Sequence, residues 1–270
     1  MSDLEVTRDD FRRYFPYTPT ALCIKECARL SALRSFPLDG PIFDVGCGDG
    51  LFASIAFENK DVWGIDINED ELRLARTSNA YSKVILGDVT TEELPRNYFK
   101  TCVANCSLEH VPRIDLALKA IFESLQPGGL FLTFVPNRDW AESLLSYRVL
   151  KGAGATGAAR SLQRSIDEFF AHRHLHDQAG WENLTQAAGF EVEMVEPVLS
   201  SATTAAFEMF LLPSLFGLAN KKLVKRWTNF PALRRSLSEP VYQLTCAALA
   251  SGDTTKTAEY LIAARRPGKI

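Results

Sequence analysis

The feature that most restricts this chain is an apolar run, Pro41–Val45, that ends in Gly46-Cys47-Gly48-Asp49-Gly50 and passes straight into a helical segment reaching about Phe57. Glycines between a strand and a helix let the backbone turn sharply and approach a ligand closely, as at the strand ends of open α/β sheets. The alternation then continues. Short apolar runs at 61–66, 83–86, 100–105 and 130–135 read as strands. A helix over 68–77 has Asn68 as its cap and acids in its first turn. Ile114, Leu118, Ile121, Phe122 and Leu125 fall at helical spacing, and Pro127-Gly128-Gly129 stops that helix. Upstream, 18–36 reads as a helix with Cys23, Cys27 and Leu30 on one face.

After Pro136 the pattern breaks. Gly152, Gly154 and Gly157, followed by a charged segment, predict a long irregular stretch over 137–176 of the kind that forms a lid. Regularity returns with a helix at 177–188 and a strand at 190–195; a second excursion covers 200–255, and 260–264 closes as a strand. Short apolar strands alternating with helices predict an α/β fold. We expect a Rossmann-like, doubly wound, mostly parallel seven-stranded sheet with helical insertions after strands 5 and 6. The expected divisions are an N-terminal helical cap (1–40), a ligand-binding core (41–136) and a lid (137–176). A core helix and strand (177–199), a basic helical insertion (200–255) and a closing strand with tail (256–270) follow.

Composition excludes several classes. The formal charge of −3 and a pI near 5.9 argue against a dedicated nucleic-acid binder. Six cysteines, at 23, 27, 47, 102, 106 and 246, are too sparse for a disulfide scaffold, so reduced thiols in a cytoplasmic setting are expected. The charged N-terminus holds no apolar secretory core, and no apolar run is long enough to span a membrane.

Acids sharpen the glycine turn. Asp44 precedes it, Asp66 closes the second strand and Asp88 the third. A carboxylate at the second strand end suits the two hydroxyls of a ribose. The dinucleotide fingerprint needs a glycine where Leu51 stands, which disfavours a nicotinamide enzyme. An ordinary turn with surface aspartates is the plain alternative.

DVGCGDG (44–50), GIDINED (64–70), GDV (87–89), NCSLEHV (105–111) and LQPGGLFLTFVP (125–136) together resemble the ordered motifs of class I S-adenosylmethionine-dependent methyltransferases. HRHLHDQAGWENLTQAAGFEV (172–192) is similar to the end of the same core in small-molecule members. The resemblance implies S-adenosyl-L-methionine as cofactor. It implies that Gly46, Cys47, Gly48, Asp49 and Gly50 lie against the methionine portion, with Asp44 ordering the loop. It further implies Asp66 with Ile67 at the ribose, Asp88 with Val89 at the adenine, and Asn105, Cys106 and Ser107 at the methionine end and substrate mouth. Amino-methylating nucleic-acid enzymes carry prolines and an aromatic residue after the position of Asn105; Cys106, Ser107 and Leu108 depart from that pattern. The implied activity is methyl transfer to oxygen, nitrogen or carbon of a small molecule, with oxygen favoured; a cofactor-binding scaffold without activity is the non-enzymatic alternative.

Methyl transfer needs a base only where the nucleophile carries a proton. His110 beside Glu109, and His172 and His174, are the candidates; His176 continues their alternation, which places all three on one side if the segment is extended. No carboxylate–histidine motif accompanies them, so no metal is expected. Tyr14, Tyr17, His110, Trp140 and Tyr147 are candidate substrate contacts, and helix packing is the plain reading of the aromatic ones. Between Met209 and Ser238 stand six basic residues and no acid, interleaved with Phe210, Phe216, Trp227 and Phe230. Such a stretch suits an anionic membrane surface through 205–235, an acidic ligand, or a helical cap with a solvated basic face. Oligomeric state is not legible.

Overall fold

The computed structural model describes residues 7–224, 227–251 and 257–268. The chain opens with α1 (Arg8–Tyr14), α2 (Thr20–Leu33), β1 (Ile42–Val45), α3 (Leu51–Ala56), β2 (Val62–Asp66), α4 (Glu69–Ala75) and β3 (Lys83–Leu86). It continues through β4 (Phe99–Asn105), a 3₁₀ turn (Leu108–His110), α5 (Ile114–Ser124), β5 (Leu125–Pro136), a second 3₁₀ turn (Trp140–Ser143), α6 (Leu145–Gly152) and α7 (Thr156–Phe170). It ends with α8 (Gln178–Ala187), β6 (Glu191–Pro197), α9 (Ser201–Met209), α10 (Leu211–Val224), α11 (Pro231–Ser236), α12 (Ser238–Ala250) and β7 (Glu259–Arg265). These elements form two compact units.

The sheet unit comprises Phe36–Arg138, Ala171–Glu196 and the chain from Glu259 onward. Its seven strands lie in the order β3-β2-β1-β4-β5-β7-β6. The pairings from β3 through β5 are parallel, and β7 joins β5 antiparallel. Strand order reverses on the two sides of β1, so the carboxyl ends of β1 and β4 flank a crevice, the usual ligand position in open α/β sheets. The core explains why these runs are strands. All four residues of β1 are buried, and Phe43 stacks on Phe99 of β4 with ring centroids 4.7 Å apart. Removing each such ring from water stabilises the fold by about 1.5–3 kcal/mol. On the far side Phe131 stacks on Phe190 at 4.9 Å, and buried Trp181 donates its indole N–H to the Pro136 carbonyl at 2.8 Å.

Local signals hold where the chemistry is local. The Asn68 side chain accepts from the Asp70 and Glu71 amides, as its capping position predicts; Asp177 caps α8 by accepting from Gly180 N–H. The expected fifth strand begins five residues early, at Leu125. Pro127-Gly128-Gly129 runs along the sheet because Gly128 and Gly129 exchange backbone hydrogen bonds with Arg266, a partner 137 or more residues away in sequence.

The helical unit comprises the chain up to Ser35 together with Asp139–Phe170 and Pro197–Ala258. The helical insertion expected after strand 5 is present as α6 and α7, so the glycines of 137–176 do not make the stretch irregular throughout. Two of its three glycines mark a break between helices: Gly152 ends α6, Gly154 turns at φ +77°, and Gly157 lies in the first turn of α7. The two acidic oxygens of Glu208 accept from the Leu145 and Ser146 amides and so cap α6 from a distant segment. Burial covers eleven residues of α2, including Cys23, Cys27 and the Glu26–Arg29 ion pair at 2.9 Å. Among the described residues, no helix is long and apolar enough to cross a membrane.

Candidate functional site

The carboxyl ends of the central strands enclose a cavity of about 300 Å³ within the sheet unit. Its floor is set by the glycine turn. Gly46 and Cys47 both donate backbone N–H to the Ile65 carbonyl, so the turn folds over the end of β2. Gly46 adopts φ +77°, and a Cβ there would stand 2.3 Å from the Ser107 Cβ. Ser107 is itself fastened, its hydroxyl donating to the Val45 carbonyl at 2.6 Å. Gly46 is therefore required twice, for conformation and for space. Gly48, at φ +55°, differs: a Cβ there meets nothing within 4 Å, so the backbone faces open space.

Asp66 ends β2 at the cavity edge. One carboxylate oxygen accepts from Gly48 N–H and the other from Asn68 N–H, each at 2.9 Å. An ionised carboxylate offers about four acceptor sites, so each oxygen keeps capacity for one further donor. Asp88 accepts from the Thr90 amide and hydroxyl through a single oxygen, both at 2.8 Å. Its second oxygen carries no hydrogen bond among the described residues. Ile67, 75% exposed, and Val89, 5% exposed, supply apolar walls. Two aspartates with unspent acceptors, apolar walls between them and a bare glycine backbone fit a ribose–adenine group.

Asp44 stands behind the turn, 2% exposed. The Tyr81 hydroxyl donates to its carboxylate at 2.7 Å and to the Cys47 carbonyl at 3.3 Å. Burial, then the Asp44 charge, holds the Tyr81 phenol well above its ordinary range, so it remains a donor. Burial, then the charges of Asp44 and Asp66, likewise pushes the Cys47 thiol far up and keeps it neutral. Tyr81 is the residue that motif reading missed. It is 37 positions from Asp44, and no periodic signal links the two. Asp49 accepts from the Leu51 amide at the start of α3, and Gly50 follows at φ +79°. Gly46, Asp66, Asp88, Cys106 and Ser107 line the cavity, whereas Asp44, Cys47, Gly48, Asp49, Gly50 and Asn105 build the turn and strand ends that carry it.

Cys106 lines the cavity with φ +48°, an uncommon conformation for a side chain with a Cβ, while its N–H donates to the Phe134 carbonyl at 3.1 Å. Cys102 is wholly buried, and burial raises its thiol far above the ordinary range.

The histidines form the other edge. His110 lines the cavity with 44% of its side chain exposed. Its Nδ1 lies 3.2 Å from the Ala171 carbonyl, which makes Nδ1 the donor in that contact. The Nε2 lies 3.7 Å from an oxygen of Glu109, a carboxylate 2% exposed. The Glu109 carbonyl accepts from the Arg173 and His174 amides, and His174 Nε2 meets the Val111 carbonyl at 2.9 Å. Segment 171–174 is thus tied to the 3₁₀ turn. The expected set of three histidines divides. His172 stacks on His110 at 5.9 Å, and His174 on His176 at 6.2 Å. The segment holds only an isolated bridge from His176 to Asn137, so strict alternation does not govern it. Among the described residues, no group of three His, Cys, Asp or Glu side chains is placed to hold a metal ion.

Of the other candidate contacts, Tyr14, Trp140 and Tyr147 are buried in the helical unit, where the Trp140 indole donates to Asp167 at 2.8 Å. Their rings are committed to packing. Tyr17 is 45% exposed, and its hydroxyl accepts from Arg235 at 3.2 Å.

Known proteins resemble this chain in sequence and in fold. A family model described as a methyltransferase domain matches residues 12–195. An uncharacterized methyltransferase of Mycobacterium tuberculosis is 37% identical over 99 residues, 35% of this chain and 50% of that protein. The match therefore spans about half the length of that curated relative. A ubiquinone biosynthesis O-methyltransferase of Pseudomonas putida is 28% identical over 160 residues, 56% of this chain and 65% of that protein. Among solved structures, an S-adenosylmethionine-dependent methyltransferase of Thermotoga maritima, possibly acting on histamine by its description, aligns with a TM-score of 0.57 at 14% identity, covering 91% of each chain. The chain belongs to the methyltransferase-domain family, of the class I S-adenosylmethionine-dependent kind.

Proposed function

We propose that this chain is an enzyme transferring the methyl group of S-adenosylmethionine to a small molecule, with a hydroxyl oxygen as the favoured acceptor. The observation that carries the reading is the meeting of Asp66, Asp88 and His110 around one cavity at the strand ends. When bound, the cofactor supplies an electrophilic methyl on a sulfonium, so the protein need not generate a reactive group of its own. Asp66 would hold the ribose hydroxyls on its unspent lone pairs, and Asp88 would hold the adenine amine. Ile67 and Val89 flank the base. Asp44 acts through Tyr81, which braces the turn from behind.

His110 Nε2 takes the proton of the acceptor hydroxyl. As the imidazole becomes cationic, the buried Glu109 carboxylate at 3.7 Å stabilises the charge. His172 stacks on the ring, and His174, through Val111, ties its segment to the turn; both are positioning residues in this mechanism. The name of the Pseudomonas putida relative supports oxygen as the acceptor atom.

The test is release of S-adenosylhomocysteine with panels of phenolic, amine and activated-carbon acceptors. We expect turnover with a phenolic acceptor. Replacing His110→Ala should lower kcat by about 10²–10⁴-fold, leave S-adenosylhomocysteine affinity unchanged, and respond to added imidazole. An unimpaired His110→Ala enzyme removes the base. Turnover confined to amines or carbon moves the acceptor atom.

A second reading, a lipid or lipid-linked acceptor reached by peripheral contact with a membrane, is favoured by one observation. Leu212, Leu223, Phe230, Leu233 and Leu237 are each more than half exposed, within the stretch that has cations and no acid. Methylation of acceptors presented in anionic vesicles, but not of their soluble headgroups, distinguishes it.

A further inference from the structure

The helical unit holds a cavity of its own, about 310 Å³, that shares no lining residue with the strand-end cavity. At its wall lies Arg234. The guanidinium donates through Nε to the Phe15 carbonyl at 3.0 Å and through Nη2 to the Thr18 carbonyl at 2.7 Å. It stacks 4.2 Å above the Phe15 ring. These tethers hold it in place but provide no counter-charge. No carboxylate pairs with Arg234 among the described residues, and burial lowers its pKa, a direction that reflects unfavourable desolvation of the cation. Nη1 carries no hydrogen bond there.

The remaining walls suit one kind of visitor. Thr20, Ser214 and Asn220 bring polar side chains to the cavity, beside Thr228, whose hydroxyl donates to the Pro16 carbonyl at 2.7 Å, and Asn229, whose amide donates to Asn220 Oδ1 at 2.7 Å. None of these lining residues is acidic. Trp227, Phe230 and Leu233 add apolar surface, and Lys221 lies 4.1 Å over the Trp227 ring. A fixed guanidinium without a paired carboxylate, among neutral polar side chains, recognises a tetrahedral oxyanion. The apolar part of the wall requires that this anion be carried on an organic body.

We propose that this cavity is a binding site for a phosphate ester, with Arg234 as the charge partner of the phosphate and Trp227, Phe230 and Leu233 against the ester's apolar portion. The ester's source is either a soluble metabolite or the headgroup of an anionic phospholipid. The site does not depend on the methyl-transfer reading, because its residues all belong to the helical unit.

The test uses the full chain in two arms. Calorimetric titration with glycerol 3-phosphate, with inorganic phosphate as the minimal probe, tests the soluble source. Co-sedimentation with phosphatidylglycerol vesicles, against phosphatidylcholine vesicles, tests the lipid source. Each is repeated on Arg234→Lys and Asn229→Asp. The lysine retains charge but loses the planar fork. The aspartate places a charge of the ester's own sign at an exposed position of the cavity wall; it keeps the Arg234 tethers and gives up one exposed bond, from the Asn229 amide to Asn220, whose loss is too small to move thermal unfolding. We expect binding in at least one arm, weakened about tenfold or more by each variant, with thermal unfolding of Asn229→Asp unchanged. Binding only in the first arm identifies a soluble ester; binding only to anionic vesicles identifies the lipid. Absence of binding in both arms, or binding that Asn229→Asp leaves intact, overturns the site.

Discussion

The two cavities have nearly the same volume, about 300 and 310 Å³, and opposite chemistry. The one in the sheet unit has Asp66 and Asp88 in its wall, held by backbone N–H groups and by Thr90. The one in the helical unit has Arg234, held by backbone carbonyls. In each case the peptide group of the opposite polarity positions the charge without neutralising it. They differ in how far their parts lie apart in sequence. Asp66 lies 18 and 2 positions from its two amide donors, Gly48 and Asn68. Arg234 and its two carbonyl acceptors are 216 and 219 apart. A parallel sheet delivers its strand ends to one edge by backbone pairing alone, so short motifs suffice there. A helical assembly delivers side chains only through packing, and its site leaves little local trace.

If the contrast is sound, the sheet cavity should fail through its backbone first. Gly46→Ala carries the largest expected effect. It strains a left-handed residue at a cost of about 1–3 kcal/mol and drives a Cβ to 2.3 Å from Ser107. We expect calorimetry to show no measurable S-adenosylhomocysteine binding, and Ser107→Gly in the same chain to restore part of it by removing the overlap. Normal binding by Gly46→Ala would show that the turn is not the floor of the cavity. Asp66→Ala comes next. It removes a charged acceptor, and affinity should weaken by about 1–3 kcal/mol, with the fold retained in thermal unfolding. An unchanged dissociation constant would remove Asp66 from the ribose. Neither change should alter phosphate-ester binding in the helical unit; if either does, the two sites are coupled and the comparison between independent cavities breaks.

The smallest effect concerns pH. Burial, then the charges of His174 and Arg138, lowers His176 from its ordinary value of 6.5. The unfolded chain therefore binds the proton more readily than the folded one. Stability is full above 6.5 and declines as pH falls from there to the lowered folded value, below which the penalty levels off. Because His176 is only partly buried, the slope should be shallow. Thermal unfolding between pH 8 and 5 in roughly half-unit steps, with His176→Gln as control, reads it; a control that keeps the same slope assigns the effect elsewhere.

Much of the sheet unit was legible because its signals are local. The strand ends at Val45, Asp66 and Leu86, the Asn68 cap and the glycine turn each follow from a few neighbouring residues. Errors arose where a distant partner overrode the local rule. Gly128 and Gly129, read as a helix stop, run in β5 because Arg266 pairs with them. Gly152 and Gly154, read as signs of irregular chain, separate two helices. The histidines kept their proximity to the site but not their alternation, since Glu109 and Val111 draw 171–174 onto the 3₁₀ turn.

Sequence alone determined the sheet class, the strand-end acids and the family, because period, turn chemistry and motif order depend on residues close together along the chain. Tertiary structure alone decided that Tyr81 braces the turn through Asp44. It also decided that Tyr14, Trp140 and Tyr147 are buried, and that Arg234 stands at a cavity wall with no carboxylate paired to it among the described residues. A hydrogen bond or a desolvated charge depends on what fills the surrounding few ångströms, and that neighbourhood exists only once the chain has folded.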